Sequence, residues 1–207
     1  MNVNEEAYGQ EYFGGADVEK DGAELRWFVD RVAALPPGLA IDIGCGTGGL
    51  VRAVGVSGRS AVGVDISHWA LEQLDGRPVR AVADRGLPFS SGCAQVVTAL
   101  DVVEHLRSPV AFLEEVRRTL KPDGCLLLST PNAGSIIRRL QSQQWYGLQD
   151  PTHLYLFDTF SMTTLIERSG FEVVDVIRRS GAGSPLVRQL LTRTGQGGQL
   201  VVSARPA

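Results

Sequence analysis

Apolar positions along the chain fall into two periods that take turns. Between Asp21 and Leu35, residues Leu25, Phe28, Val29, Val32 and Leu35 recur at helical spacing, and Pro36-Pro37-Gly38 stops the helix they predict. The aliphatic run Leu39–Ile43 predicts a strand, followed by a glycine-rich turn and a helix from about Thr47 to Val54. The alternation continues with strands at Ala61–Val64, Val79–Val82, Ala94–Leu100 and Cys125–Ser129, and with helices at Trp69–Leu74 and Val110–Leu120. Lys121-Pro122-Asp123-Gly124 supplies the turn between the last of these helices and its strand. A long loop, Thr130–Asp158, leads to a helix at Phe160–Ser169 that ends at Gly170, then to strands Phe171–Ile177 and Gln199–Ser203. Strands alternating with helices predict an α/β fold, a largely parallel sheet with helices on both faces. The last two of the seven strands lack an ordinary crossover helix between them, so the last strand is expected to run antiparallel.

Composition narrows the classes. At 207 residues, 43% hydrophobic and 21% charged, the chain has the make-up of one globular domain, which excludes wholesale disorder, a coiled coil and a collagen-like chain. A net charge of −3 argues against non-specific nucleic-acid binding through overall charge. Cys45, Cys93 and Cys125 are too scattered for a disulfide framework or a paired-cysteine zinc site. The polar, acidic segment Met1–Tyr12 is unlike a signal peptide, and no apolar run reaches membrane-spanning length. The expectation is a soluble, cytoplasmic protein with neither nucleic-acid nor membrane partner. Oligomeric state is not written in these patterns. Of the 20 cationic residues only Lys20 and Lys121 are lysine, which reads first as genomic base composition.

The chemistry starts at Ile41-Asp42-Ile43-Gly44-Cys45-Gly46-Thr47-Gly48-Gly49, where the first strand passes into a helix. Glycines there let the backbone approach a ligand, and the helix N-terminus offers free N–H groups. Gly44, Gly46 and Gly49 satisfy the dinucleotide fingerprint, and Asp65 follows Gly44 by 21 residues, so a NAD-binding dehydrogenase is one reading. Three details favour another ligand. Asp42 precedes the first glycine by two residues, Gly48 permits an alternative DxGxGxG reading, and Asp84 follows a third strand as Asp65 follows the second. Three carboxylates at successive strand ends suit a ligand presenting an amino group, a ribose diol and an adenine amine. S-adenosylmethionine carries all three donors and no phosphate.

Together with Asp42–Gly48, the stretches Val62-Gly-Val-Asp65-Ile-Ser67, Ala83-Asp84, Leu100-Asp-Val-Val-Glu-His105 and Leu120-Lys-Pro-Asp-Gly124 carry a family resemblance over roughly residues 20–130. The chain resembles a class I S-adenosylmethionine-dependent methyltransferase, in the small-molecule group with the ubiquinone-biosynthesis O-methyltransferases. Asp123 stands where relatives usually have glycine. The resemblance implies a Rossmann-like sheet of seven strands, with strand seven antiparallel between five and six. It implies a single methyltransferase domain over 1–207, with residues 1–20 as an N-terminal lid and 130–158 and 178–198 as substrate-side insertions. It assigns the methionine end of the cofactor to Asp42 and the turn Gly44, Cys45, Gly46 and Gly48. The ribose goes to Asp65, the adenine to Asp84 with Ile66 and Arg85 flanking, and the amino group to backbone near Leu100. Tyr8, Tyr12 and Phe13 resemble the aromatic lid of relatives; an N-terminal helix packed on the sheet would look the same.

In an open parallel sheet, ligands bind outside the carboxyl ends of the strands, so the loop after the fifth strand lies over the transfer site. It holds Trp145, Tyr146 and the run Asp150-Pro-Thr-His-Leu-Tyr-Leu-Phe157, which also resembles the substrate-proximal part of that group. His153 is the first candidate for a general base and His105 the second, because imidazole changes charge near neutral pH. Each has a plainer reading, His153 as a loop brace and His105 as packing or a cap. Asp101, Glu104 and His105, with His153, also resemble the metal-binding run of some O-methyltransferases, but many metal-free relatives share it and no resident metal is expected. Arg138 and Arg139 after strand five, and Arg178, Arg179, Arg188 and Arg193 between strands six and seven, are brought by topology to the acceptor face. Guanidinium forks there suit an acceptor with an anionic group, with Trp145, Tyr146 and Phe157 covering its remainder. A solvated arginine rim is the plainer alternative. The expected activity is methyl transfer to a small molecule, on oxygen before nitrogen, with a non-catalytic cofactor-binding module as the non-enzymatic rival.

Overall fold

The computed structural model describes residues 8–13, 22–74, 78–180 and 185–207, less the side chains of Asp84 and Pro185. One seven-stranded sheet organises them: β1 (Ala40–Ile43), β2 (Ala61–Asp65), β3 (Pro78–Arg80), β4 (Ala94–Leu100), β5 (Leu120–Pro131), β6 (Phe171–Arg179) and β7 (Gln199–Pro206). Their spatial order is β3-β2-β1-β4-β5-β7-β6. β3 through β5 pair in parallel, and β7 pairs antiparallel with both β5 and β6. This is the Rossmann-like arrangement expected from the sequence, including the antiparallel seventh strand between five and six.

Two-residue alternation along the central strands sends side chains to two separate cores. Ile41, Ile43, Val97, Ala99, Leu126 and Leu128 face α5 (Pro109–Thr119) and α8 (Thr159–Arg168), meeting Phe112, Leu113, Val116, Met162 and Ile166. The other face sends Ala40, Val96, Leu127 and Val201 against Phe28 and Val32 of α2 (Gly22–Ala33) and Leu50 and Val54 of α3 (Gly49–Val56). Central strands buried on both faces explain why their sequences read as nearly continuous apolar runs.

Three differences from the sequence reading have local causes. The turn Lys121–Gly124 does not precede β5 but bulges out of it: Ala94 pairs with Leu120, yet Val96 pairs with Cys125. The stretch read as a loop after β5 contains α6 (Ile136–Gln141), a 3₁₀ turn at Ser142–Gln144 and α7 (Tyr146–Gln149). These segments are too short for apolar periodicity to reveal, although Ser135 caps α6 by accepting from the Arg138 N–H. The connection from β6 to β7 carries α9 (Pro185–Arg193), joining strands that are antiparallel neighbours in the sheet.

Candidate active site

The turn after β1 is built from left-handed backbone at Gly44, Gly46 and Gly48, with φ of 69°, 52° and 85°. A Cβ on Gly44 would lie 2.3 Å from Val102 Cγ2, and one on Gly48 would lie 1.8 Å from Leu74 Cδ1. The N–H groups of Gly44 and Cys45 both donate to the Val64 carbonyl, at 2.7 and 3.0 Å. The acid that ends β2 then fixes the turn: Asp65 accepts from the Gly46 N–H at 2.9 Å and the Ser67 N–H at 2.8 Å, one bond to each carboxylate oxygen. Burial pushes the Asp65 pKa up while those N–H donors hold it down. Each oxygen keeps lone pairs for further donors. A buried carboxylate beside a glycine cradle fits the ribose hydroxyls of an adenosyl ligand.

The remaining cofactor candidates are placed unevenly. Asp42 is buried and accepts from the Thr98 hydroxyl at 2.6 Å, so in this conformation it braces β1 to β4 behind the turn. Cys45 is buried, and burial pushes its thiol pKa up, which removes it as a nucleophile. Its sulfur would lie 2.7 Å from a Cβ on Gly63, which explains the glycine in β2. Ile66 and Leu100 are half-buried beyond β2 and at the end of β4. Asp84 sits in a 3₁₀ turn (Ala83–Arg85) after β3, but its side chain lies outside the described residues. Arg85 is exposed.

Within the expected lid, residues 8–13 are described, and Gln10–Phe13 among them form the short helix α1. Phe13 stacks on Trp69 of α4 (His68–Glu72) with ring centroids 5.7 Å apart, and its ring would lie 3.2 Å from a Cβ on Gly46. Tyr8 meets Tyr12 edge-on at 5.0 Å, and its carbonyl accepts from the Ser67 hydroxyl at 2.6 Å. The aromatic segment therefore lies directly over the glycine turn.

A second cluster stands at the carboxyl end of β4. The His105 and His153 rings lie 4.6 Å apart between centroids, and Tyr8 meets His105 at 6.2 Å. The Thr152 hydroxyl donates its single proton to Asp150 and also contacts His105 Nδ1 at 2.8 Å, so Nδ1 must be the donor there. His153 Nδ1 lies 2.9 Å from the Gly147 carbonyl, which can only accept. Tautomers assigned from this network leave the lone pair on Nε2 of both rings. Burial, followed by the neighbouring His153, pushes the His105 pKa down against the pull of Asp150. For Asp150, burial pushes upward, but the Thr152 hydroxyl and amide and the two histidines hold the carboxyl below its ordinary range. Carboxylate Glu104 and the two imidazoles can bring one ligand atom each within 4.8 Å of one another. Asp101 is not in that group. It adopts φ of 57° and accepts from the Ser129 hydroxyl at 2.9 Å and from Gln199 Nε2 at 3.3 Å.

A family model described as a methyltransferase domain matches residues 19–176. The chain belongs to the class I S-adenosylmethionine-dependent methyltransferases. It is 29% identical over 141 residues to a probable S-adenosylmethionine-dependent methyltransferase of Mycolicibacterium smegmatis, covering 66% of this chain and 53% of that one. It is 30% identical over 123 residues to a ubiquinone biosynthesis O-methyltransferase of Paraburkholderia xenovorans, covering 55% and 53%. The chain thus spans about half the length of these curated relatives. Among solved structures, a methyltransferase from Mesorhizobium loti superposes with a TM-score of 0.69 at 21% identity, covering 89% of this chain and 99% of that one. One from Archaeoglobus fulgidus gives 0.69 at 20%, covering 88% and 91%. At such identities these two likenesses speak for the fold.

On the acceptor side the methyltransferase departs from several sequence expectations. Trp145 is fully buried and packs on Gly147, whose Cβ would lie 2.3 Å from the indole, so in this conformation it is a plug inside the segment and not a surface for an acceptor. Tyr146 is half-exposed, and its hydroxyl donates to the Gly198 carbonyl at 2.8 Å. Arg178 donates to the Thr159 hydroxyl at 2.9 Å. Arg179 stacks 4.1 Å over the Trp27 ring and pairs with Glu24 at 3.7 Å. These two guanidiniums are internal braces, which removes them from the acceptor set. Arg138, with a buried Nε that lacks a hydrogen-bond partner, and the exposed Arg139 remain on α6. Sequence reasoning missed Trp69, Thr152, Ser129 and Gln199. Only Thr152, inside the Asp150–His153 run, carried a signal.

Proposed function

We propose that this methyltransferase transfers a methyl group to oxygen on a small acceptor bearing an anionic group. The observation that carries the reading is the pair of imidazoles at the end of β4, each with its Nε2 lone pair free of the bonds that fix Nδ1. S-adenosylmethionine, when bound, supplies a sulfonium methyl whose carbon–sulfur bond breaks as the carbon–oxygen bond forms. Asp65 holds the ribose and Asp84 the adenine, while the Gly44–Gly48 turn with Asp42 meets the methionine end and backbone near Leu100 accepts from its amino group. Tyr8, Tyr12 and Phe13 close over the turn and exclude water, which strengthens the electrostatics inside. His153 or its neighbour His105 takes the hydroxyl proton on Nε2, and Asp150, acting through Thr152 and beside His153, steadies the resulting imidazolium. Arg138 and Arg139 meet the acceptor's anionic group. The test is formation of S-adenosylhomocysteine with a panel of hydroxybenzoates and catechol carboxylates beside their uncharged counterparts. Turnover confined to the anionic members is expected. Binding of NAD with no binding of S-adenosylhomocysteine would transfer the site to the dehydrogenase reading.

A second reading rests on Glu104, His105 and His153, whose ligand atoms can gather within 4.8 Å. A divalent ion on those three would orient an acceptor oxygen and lower its pKa, replacing the histidines as base. Calorimetry with Mg²⁺ and Zn²⁺ against the protein and its His153→Ala variant decides between the two. A saturable heat lost in the variant favours the metal.

A further inference from the structure

Gly147, inside α7, joins the buried Trp145 to His153. The six-membered ring of the indole occupies the place where a side chain at 147 would begin. A Cβ there would fall 2.3 Å from Trp145 Cη2, 2.4 Å from Cζ3 and 2.8 Å from Cζ2. Gly147 is not among the glycines with positive φ, so its backbone suits any residue and space alone selects glycine. The indole N–H is buried without a hydrogen-bond partner, so packing on Gly147, not a polar bond, seats the ring.

The Gly147 carbonyl meets His153 Nδ1 at 2.9 Å. In a longer helix that carbonyl would accept from residue 151, but residue 151 is proline and has no N–H. The carbonyl is left for a donor outside the helix, and the imidazole supplies one. The histidine backbone is fixed on the same turn, with the Thr152 N–H on Asp150 Oδ1 at 2.8 Å and the His153 N–H on the Asp150 carbonyl at 3.3 Å. Two acceptors then compete for the single ring proton of a neutral His153. Asp150 Oδ2 lies 3.8 Å from Nε2, beyond hydrogen-bond reach, whereas the Gly147 carbonyl is in reach of Nδ1. A carboxylate is the stronger acceptor, so the carbonyl prevails by position alone, and its position is what the indole sets.

We propose that Gly147 is a positioning residue for the transfer site. Clamped by Trp145, its carbonyl holds the His153 proton on Nδ1 and so keeps the Nε2 lone pair ready for the acceptor. The inference rests on the reading of His153 as the group that takes the acceptor's proton. With the carbonyl displaced, Asp150 and water would draw the ring proton to Nε2, and a nitrogen that already carries a proton cannot accept the hydroxyl's. The same arrangement explains why Trp145 is enclosed in a segment where an aromatic surface for the acceptor was expected: it supports the base from behind.

The test is a long-range proton–nitrogen NMR spectrum of the imidazoles with S-adenosylhomocysteine bound, at about pH 8, where an ordinary imidazole is neutral. The chain has 3 histidines, so a His153→Gln spectrum identifies the signals of His153. In the wild type, Nδ1 should carry the proton and Nε2 should be bare. Gly147→Ala, whose methyl collides with the indole, should move the proton to Nε2. Gly147→Ala/Trp145→Phe, in which a smaller ring makes room for that methyl, should return it to Nδ1. Calorimetric binding of S-adenosylhomocysteine should stay within about twofold of wild type in both variants, which separates a displaced carbonyl from a lost fold. With protocatechuate as acceptor, kcat should fall roughly 100-fold in Gly147→Ala with KM changed less than about twofold, and recover in the double variant. The proposal is overturned if wild-type His153 carries its proton on Nε2, or if Gly147→Ala leaves the proton on Nδ1. A tautomer that shifts while kcat does not change overturns the base reading of His153 itself, and the positioning role of Gly147 with it.

Discussion

Replacing Asp65 with asparagine separates two tasks that one carboxylate performs. In the free protein its oxygens take the Gly46 and Ser67 N–H groups, at 2.9 and 2.8 Å; the carboxylate and Ser67 are buried and Gly46 is half-buried. Asparagine keeps one acceptor oxygen, so one of the two N–H donors must face an NH₂ group. The surviving bond falls from a charge-assisted value of about 1.5–3 kcal/mol to about 1 kcal/mol, and the stranded donor costs about 1–3 kcal/mol more. Against this, removing a buried charge returns part of its desolvation cost, the same cost that raises the Asp65 pKa. The net loss should be about 1–2 kcal/mol, or a Tm lower by roughly 2–8 °C for a chain of this size. S-adenosylhomocysteine should lose more than the apo fold does, because its ribose hydroxyls meet a neutral amide with one acceptor. A deficit of about 1.5–3 kcal/mol corresponds to roughly 10- to 150-fold in Kd by calorimetry. Asp65→Ala, which strands both donors, should be worse on each measure. If Asp65→Asn lowers Tm as calculated yet binds S-adenosylhomocysteine within twofold of wild type, Asp65 only braces the turn, and the ribose is held elsewhere.

Gly48→Ala should cost about 3 kcal/mol or more in urea denaturation, since its Cβ falls 1.8 Å from Leu74 Cδ1 at φ of 85°. The open positive-φ position Gly58, with nothing within 4 Å, should lose only about 1 kcal/mol as alanine. The acidic limb of the pH–rate profile should lie below the ordinary histidine value, because burial and His153 keep His105 neutral to lower pH. Removing His153 should move the limb of the remaining activity upward. Glu115, held at a pKa of about 2 first by the Arg118 guanidinium and then by the Leu87 N–H, ties α5 to the segment before β4. Its depressed pKa gives stability that is present above the ordinary carboxyl range and lost as pH falls from about 4.5 toward 2. Glu115→Gln should flatten that acid limb of Tm against pH, and an unchanged limb would remove the pair from the acid response.

The parts of the fold legible in sequence were those set by local pattern. Alternating apolar runs located all seven strands, and the spacing of Asp42, the glycines and Asp65 located the turn, because side-chain period and glycine conformation are properties of a few consecutive residues. Polar pairings between distant segments were not legible. Thr98 reaches Asp42 across 56 positions and Gln199 reaches Asp101 across 98, and no one-dimensional pattern marks either threonine or glutamine as a partner. Asp101 shows the consequence. Its place in the run before Glu104 and His105 grouped it with them on the page, yet the left-handed backbone turns its carboxylate toward Ser129 and Gln199. Trp69 was hidden for a related reason, since only the return of the N-terminal segment over α4 gives it Phe13 to stack on.

Arginine is where counting and geometry part most instructively. The sequence places all six arginines in or next to the segments that follow β5 and β6, but charge there becomes a binding site only if the side chains are free to turn toward a ligand. Arg179 lies against Trp27, with Arg31 also 4.2 Å from that ring, and pairs with Glu24, while its guanidinium also reaches Gln199. A guanidinium held by an aromatic face and a carboxylate together is already near its full complement of partners, and pulling it toward an acceptor would cost those contacts. It reaches the site by another route: Arg179 meets Gln199, and Gln199 meets Asp101 at the end of β4. Arg179→Lys keeps the charge but loses the guanidinium's seat over Trp27 and its bond to Gln199. It should therefore loosen the β6–β7 end without altering preference for an anionic acceptor, whereas Arg138→Lys should alter that preference and leave stability near wild type. A measured loss of anion preference in Arg179→Lys, with Tm unchanged, would return Arg179 to the acceptor set.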